Sequence, residues 1–272
     1  MVQNITQGFQ KVDQSDTDFL IQFLADANRI PSILDSFRTQ LELLDIREGD
    51  RVLDLGCGIG ERAAQMAEFV GKSGKVVGTD LSETMVAASE QRYGDSGLPL
   101  EFHVADACRQ PFPDESFDRV RTERVLMYVA DIPAAFTEFR RLLKDGGRLL
   151  VMDFAWDSLV FGHADRALTR RISNYVCDSF PSGRIGADLY RTFHESGFTD
   201  IAIKPIGYFA SLEFTRRVIG GILASGVEDG TFSEQEIGGW WSVLEEDDRA
   251  GHFFMSFQGF VVTGTKAAIP VN

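Results

Sequence analysis

The stretch Val52-Leu53-Asp54-Leu55-Gly56-Cys57-Gly58-Ile59-Gly60 decides the fold. A short apolar run, Arg51–Leu55, carries one acidic residue into a loop with glycine at every second position. Such a run reads as a buried parallel strand. The glycines let the backbone turn sharply and approach a ligand, because no Cβ stands in the way. Residues 61–70 follow with Ala64, Met66, Ala67 and Val70 at helical spacing, so the loop opens a helix. A strand, a glycine loop and a helix N-terminus make a nucleotide-type site at the carboxyl edge of an α/β sheet.

The dinucleotide fingerprint requires Gly-x-Gly-x-x-Gly. Gly56 and Gly58 satisfy it, but Glu61 occupies the third glycine's place. A carboxylate there is a poor neighbour for a pyrophosphate, which counts against a nicotinamide oxidoreductase. Asp54 is equally ill placed for an anion and well placed for an ammonium or a sulfonium. The loop, Gly60 included, therefore points to a cationic, phosphate-free nucleoside, and S-adenosylmethionine has that chemistry. A second β-rich run, 75–79, ends in Asp80, placed to accept both ribose hydroxyls. The alternative for Asp80 is a cap on the helix that starts near Ser82. Leu81 and Met85 offer apolar surface to adenine. A third run, Leu100–Val104, leads into Ala105-Asp106-Ala107, where the Asp106 carboxylate and the Ala107 N–H can meet the adenine edge. The alternative for Asp106 is a plain strand-end turn.

A fourth run covers 117–121, a helix 132–143, the turn Lys144-Asp145-Gly146-Gly147, and a fifth strand 148–154. With segments 52–60, 76–80, 102–106 followed by Pro111-Phe112, Phe117-Asp118 and 142–151 in this order, the chain resembles the class I S-adenosylmethionine-dependent methyltransferases. Within them it is similar to the quinone-biosynthesis C-methyltransferase group. The resemblance covers roughly residues 45–155 and is only architectural beyond. It implies a Rossmann-like α/β sheet of seven strands, the last antiparallel and inserted beside the sixth, with helical cap insertions. It also implies that Asp54 and the glycines hold the methionine moiety, Asp80 the ribose and Asp106 the adenine. One departure matters. Where family members often carry a histidine pair after the fourth strand, this chain has Thr122-Glu123-Arg124-Val125-Leu126-Met127-Tyr128. A general base is left unidentified.

The 272 residues suit one large domain or a domain with a cap. A formal charge of −14 argues against nucleic acid and anionic membrane surfaces as partners. No apolar run approaches the ~20 residues of a membrane span. The N-terminus shows no signal-peptide pattern. Cys57, Cys108 and Cys177 lack metal-ligand spacing and read as free thiols of a cytoplasmic protein, with no metal site expected.

The expected organisation is an N-terminal helical lid (1–45), a cofactor-binding core (46–155), and the rest of the sheet with its cap insertions (156–272). Two lid helices, 16–27 and 32–44, are broken at Pro31, with Ser32 as N-cap of the second. Phe9, Phe19 and Phe23 are their apolar cover or ordinary packing residues. Helices are also expected over 161–179, 185–195, 212–224 and 233–246, and strands over 200–206 and 253–265. The carboxyl ends of strands are where ligands sit, which nominates Arg124, Asp153 and Trp156 for substrate contact, with Trp240 from the second insertion. Glu123 is a candidate for both cofactor binding and catalysis. Candidate bases are His252, Tyr128, His194 and Glu123. The reading is S-adenosylmethionine-dependent methyl transfer to a small, partly apolar acceptor by a monomer or homodimer, the acceptor atom open among O, N and C. The alternative is a protein that binds the nucleoside without transferring methyl, such as a cyclase.

Overall fold

The structure, a computed structural model, describes residues 4–267. Strand β1 (Arg51–Leu55) buries every residue after Arg51 and pairs in parallel with β2 (Lys75–Asp80) on one side and β4 (Phe117–Glu123) on the other. Strand β3 (Leu100–Val104) flanks β2, and β5 (Leu143–Phe161) flanks β4, all parallel. Strand β7 (Met255–Lys266) then runs antiparallel between β5 and β6 (Phe198–Phe209). The order is β3-β2-β1-β4-β5-β7-β6. The seven-stranded sheet with its final antiparallel strand is the one the resemblance implies. Because chain direction diverges on either side of β1, the loops after β1 and β4 separate and leave a crevice at the carboxyl edge.

Helices α4 (Glu61–Val70), α5 (Glu83–Tyr93), α6 (Ile132–Leu142), α7 (Arg166–Asp178) and α8 (Ile185–Glu195) connect or cover the strands. Their local chemistry is legible. Ser82 caps α5 through Met85 N–H, and Asp131 caps α6 through Ala134 N–H. Over the carboxyl edge lie α1 (Ile5–Gln10), α2 (Thr17–Ala27) and α9 (Leu212–Glu228), while α10 (Glu234–Arg249) stands behind α9 and α3 (Pro31–Leu44) packs against β5, β6 and β7.

Some expectations need correction. Helix α1 was not anticipated; Asn4 caps it by accepting from Thr6 and Gln7 N–H. Ser32 does not cap α3. Ile30 holds the cap position, Pro31 is the first helical residue, and Ser32 Oγ has no partner. The turn 144–147 does not start the fifth strand. It is a bulge inside β5, because Phe117 pairs with Leu143 and Arg119 with Arg148. A second irregularity, between Ala155 and Val160, lifts Trp156 out of the ladder, and its N–H donates to Gly183 O at 2.9 Å. Helix α9 runs on through 225–228, past its expected end at 224.

One apolar cluster extends from Ile5 and Phe23 through the sheet to Val262. The N-terminal helices share it. Phe23 of α2 stacks on Phe214 of α9 at 5.4 Å, Arg217 reaches Asp26 at 2.8 Å, and Asn4 donates to Ser225 at 3.0 Å.

Candidate active site

The glycine loop closes the crevice floor. Gly56 and Cys57 N–H both donate to Thr79 O, at 2.7 and 2.9 Å. Gly56 adopts φ +70°, and a Cβ on it would fall 2.1 Å from a Val125 methyl. No other residue fits there. Gly58 N–H donates to Asp80 Oδ2 at 2.9 Å, and Ser82 N–H to Asp80 Oδ1 at 3.0 Å. Burial pushes the Asp80 carboxyl up, against the pull of these two N–H groups. Each carboxylate oxygen keeps a lone pair for a further donor. Leu81 is exposed at the rim, while Met85 is buried with Leu20 and Ile59; both line the cavity. Asp106 and Ala107 line it too, but Asp106 Oδ1 already takes Cys108 N–H at 2.8 Å. Gly60 is not part of the cavity wall. Its Cα faces the Phe102 ring and Ser89, each within 3 Å of a would-be Cβ, so it packs α4 against β3 and α5. Burial drives the Cys57 thiol well above its usual range, so it stays protonated.

Behind the loop lies a buried charge cluster. Arg121 on β4 stands opposite Asp54 in the ladder and donates to its Oδ1 at 2.6 Å. The same guanidinium bonds Glu123 Oε2 and Gln40 Oε1. Arg124, at the unusual φ of +58°, lies 3.6 Å from Glu123 Oε1. Burial opposes ionisation of Glu123, and the guanidiniums of Arg121, Arg124 and Arg62 outweigh it and hold the carboxyl below its usual range. For Asp54 burial prevails over Arg121, and the carboxyl is raised. Two carboxylate oxygens on this wall, Asp54 Oδ2 and Glu123 Oε1, remain buried without a hydrogen-bond partner. Arg121, Arg62 and Asn28 line the site and escaped sequence reasoning. A charged residue inside an otherwise buried strand, as at Arg121, was the available signal.

The opposite wall is aromatic. Trp156 is sandwiched between Phe180 (4.9 Å, 9°) and Phe257 (5.0 Å, 11°), and its Nε1–H meets Met127 Sδ. Tyr128 sits between Phe9 and Phe180, with Phe23, Phe214 and Tyr208 nearby on the wall. The whole cavity has a volume of about 300 Å³. That places it at the small end of ligand pockets.

Several candidates fall outside this cavity or change role. Trp240 is 1% exposed, donates to Thr169 Oγ1 at 3.1 Å, and meets Phe161 and Trp241 edge-on; it anchors α10 on α7. His252 and His194 lie exposed, off the cavity wall. Asp153 is fully buried behind the wall, accepting from Phe154 and Met127 N–H at 2.8 and 3.2 Å. Tyr128 does line the cavity, but burial pushes its phenol far up, so it is no base at neutral pH. Glu123 is committed to ion pairs. Among the described residues, no group of three metal-ligating side chains comes together.

Residues 53–151 match the family model described as a methyltransferase domain. This stretch is a class I, S-adenosylmethionine-dependent methyltransferase domain. The chain is 37% identical over 183 residues to a 37.1 kDa protein in transposon Tn4556 of Streptomyces fradiae, covering 66% of this chain and 52% of that protein. It is 40% identical over 120 residues to the ubiquinone/menaquinone biosynthesis C-methyltransferase UbiE of Pseudomonas putida, covering 43% and 47%. The chain thus spans about half the length of these curated relatives. Among solved structures, a phosphoethanolamine N-methyltransferase 2 of Haemonchus contortus, in complex with S-adenosyl-L-methionine, shares the fold at TM-score 0.61. It is 21% identical, over 98% of this chain and 61% of that one. The [4+2]-cyclase SpnF shares it at TM-score 0.55 and 22% identity, over 86% and 81%. No helix of the described residues is long and apolar enough to cross a membrane.

Proposed function

We propose that the protein transfers the methyl group of S-adenosylmethionine to a small, largely apolar acceptor. The observation that carries this reading is the buried Asp54 Oδ2, which has neither hydrogen-bond nor ion-pair partner, beside a glycine loop that tolerates no side chain. Burying a carboxylate oxygen with no donor is costly, so the wall is built to receive a cation. The α-ammonium of the methionine moiety meets that need, and the Arg62 and Arg124 guanidiniums on the same wall suit its carboxylate. Asp80 would take the ribose, and Leu81, Met85, Asp106 and Ala107 the adenine. When bound, the cofactor supplies an electrophilic methyl group on sulfur.

The chain's own task is then to position the acceptor and exclude water. Tyr128 and the edges of the stacked Trp156 and Phe257 rings would border the acceptor, and α1, α2 and α9 would act as the lid. No side chain on the aromatic wall is a ready proton acceptor at neutral pH, so the acceptor must be nucleophilic without help or lose its proton to water. The same absence favours a second reading, a non-methylating reaction such as a cyclisation around a retained nucleoside. Three free thiols suit a reducing cytoplasm.

Incubation with methyl-labelled S-adenosylmethionine and metabolite extracts tests the proposal. S-adenosylhomocysteine formed together with a labelled small molecule supports transfer. Binding without turnover across many acceptors would leave the cyclase-type reading.

A further inference from the structure

The cavity wall is divided by charge. All eight charged side chains on it, Asp54, Glu61, Arg62, Asp80, Asp106, Arg121, Glu123 and Arg124, come from the 54–124 segment on the glycine-loop side. The wall contributed by residues 5–33 and 125–257 carries none. Of the buried polar atoms left unpartnered on the lining, two are hydroxyls, and both belong to that uncharged wall: Tyr208 Oη and Ser32 Oγ. Tyr208 is 2% exposed, its ring edge-on to Phe154 at 5.0 Å and stacked on Phe257 at 5.4 Å. Ser36 stands beside it without meeting it in hydrogen-bonding geometry, and Glu123, Arg124 and Asp153 act on it only through longer-range charge. Ser32 lies one helical turn before Ser36 on α3.

A buried hydroxyl in an aromatic wall costs stability unless something bonds it. We propose that the hydroxyls of Tyr208 and Ser32 hydrogen-bond a single oxygen or nitrogen of the acceptor, and that the acceptor is an uncharged molecule with an otherwise apolar body. Calling that ligand the acceptor rests on the methyl-transfer reading above; the selectivity of the wall does not. An anionic acceptor finds no free cation on this wall, and the −14 charge of the chain opposes it at long range. A cationic one finds no carboxylate there.

Equilibrium dialysis with three planar probes of one shape tests this: 2-naphthol, naphthalene and 2-naphthoate, each with and without saturating S-adenosylhomocysteine at pH 7. The expected order is 2-naphthol tightest, by about tenfold over naphthalene, and 2-naphthoate weakest. Tyr208→Phe should erase the naphthol advantage while leaving S-adenosylhomocysteine affinity within about twofold. Ser32→Ala should reduce the advantage in part. Because the Tyr208 hydroxyl is unpartnered, Tyr208→Phe should also melt no lower than the wild type. Any of four results overturns the proposal: no binding of naphthol, equal binding of naphthoate, an advantage that survives in Tyr208→Phe, or a Tyr208→Phe variant that loses nucleoside affinity instead. Failure of S-adenosylhomocysteine to bind at all sinks the methyl-transfer reading alone, since the probe series without it still reports on the wall.

Discussion

At the scale of single residues, two carboxylates make opposite demands on their surroundings. Asp80 holds the glycine loop by accepting Gly58 N–H and holds the start of α5 by accepting Ser82 N–H. Asp80→Ala should lower S-adenosylhomocysteine affinity by about 100-fold, since it loses the ribose acceptor and frees the loop, and cost roughly 1–3 kcal/mol of stability. Calorimetry and urea unfolding separate the two effects, and unchanged affinity would remove Asp80 from the site. Asp153 has no such ligand-facing role. Burial raises its carboxyl to about 7, against the pull of Phe154, Met127 and Leu126 N–H and of Arg124. Tyr128 and Tyr208 are the other titratable groups close to it. Between about pH 4 and 7 the folded Asp153 therefore holds a proton that the unfolded chain has released, so stability falls as pH rises through that window. The shift corresponds to about 4 kcal/mol as an upper bound. Asp153→Asn, which mimics the protonated form, should flatten most of this decline between pH 5 and 8 in urea-unfolding curves. An unaltered slope would mean that other groups carry it.

At the scale of elements, α2 is fastened to the glycine-loop side at its C-terminal end through Asn28, next to the Arg217–Asp26 pair that ties it to α9. Asn28 donates to Glu61 Oε2 at 2.9 Å, accepts from Arg124 Nη2 at 2.8 Å, and offers its carbonyl to Arg62 Nη2 at 3.1 Å. At the other end, Asp13 takes Ser82 Oγ–H and the N–H groups of Glu83 and Thr84, capping α5 from outside. Both anchor points flank the cofactor cleft. Asn28→Ala should therefore speed S-adenosylhomocysteine release by about tenfold, as loss of one charge-assisted bond allows. Stopped-flow displacement checks this, and an unchanged rate would show that α2 does not gate the cleft. None of this latch was visible in the sequence, because its partners lie 33 to 96 positions apart in the chain. The Arg121–Asp54 pair was hidden for the same reason, 67 positions apart and joined only by strand register. By contrast β1, β2, α4 and α8 were readable at both ends, since glycines, caps and apolar periodicity fix them locally. Strand β5 was not. Gly146-Gly147 spells a turn, and only pairing with β4 before and after it, at Leu143 and Arg148, carries the strand through. Trp240 was misplaced because residue type says nothing about which helix face meets the cavity, and His252 because it lies exposed in the connection between α10 and β7.

At the scale of the whole molecule, the site is closed from both ends of the chain. The N-terminal helices and α9 meet through Phe23–Phe214, Arg217–Asp26 and Asn4–Ser225, pairs about 190 to 220 positions apart. Neither piece covers the cleft alone, and both rest on the same apolar cluster as the sheet. A ligand bound beneath them should therefore suppress opening of both together, because a shared roof opens as one cooperative unit. Hydrogen exchange with and without S-adenosylhomocysteine is the appropriate measurement. Protection is expected to rise in parallel over residues 5–27 and 212–228, and in the loops at 56–60 and 80–82. Helix α10 should not respond, since Trp240 and Trp241 tie it to α7 and α9 from behind. Protection confined to the two loops would mean that the roof is indifferent to the nucleoside. The aromatic wall would then be sealed by the acceptor, whose binding should protect 5–27 and 212–228 in its turn.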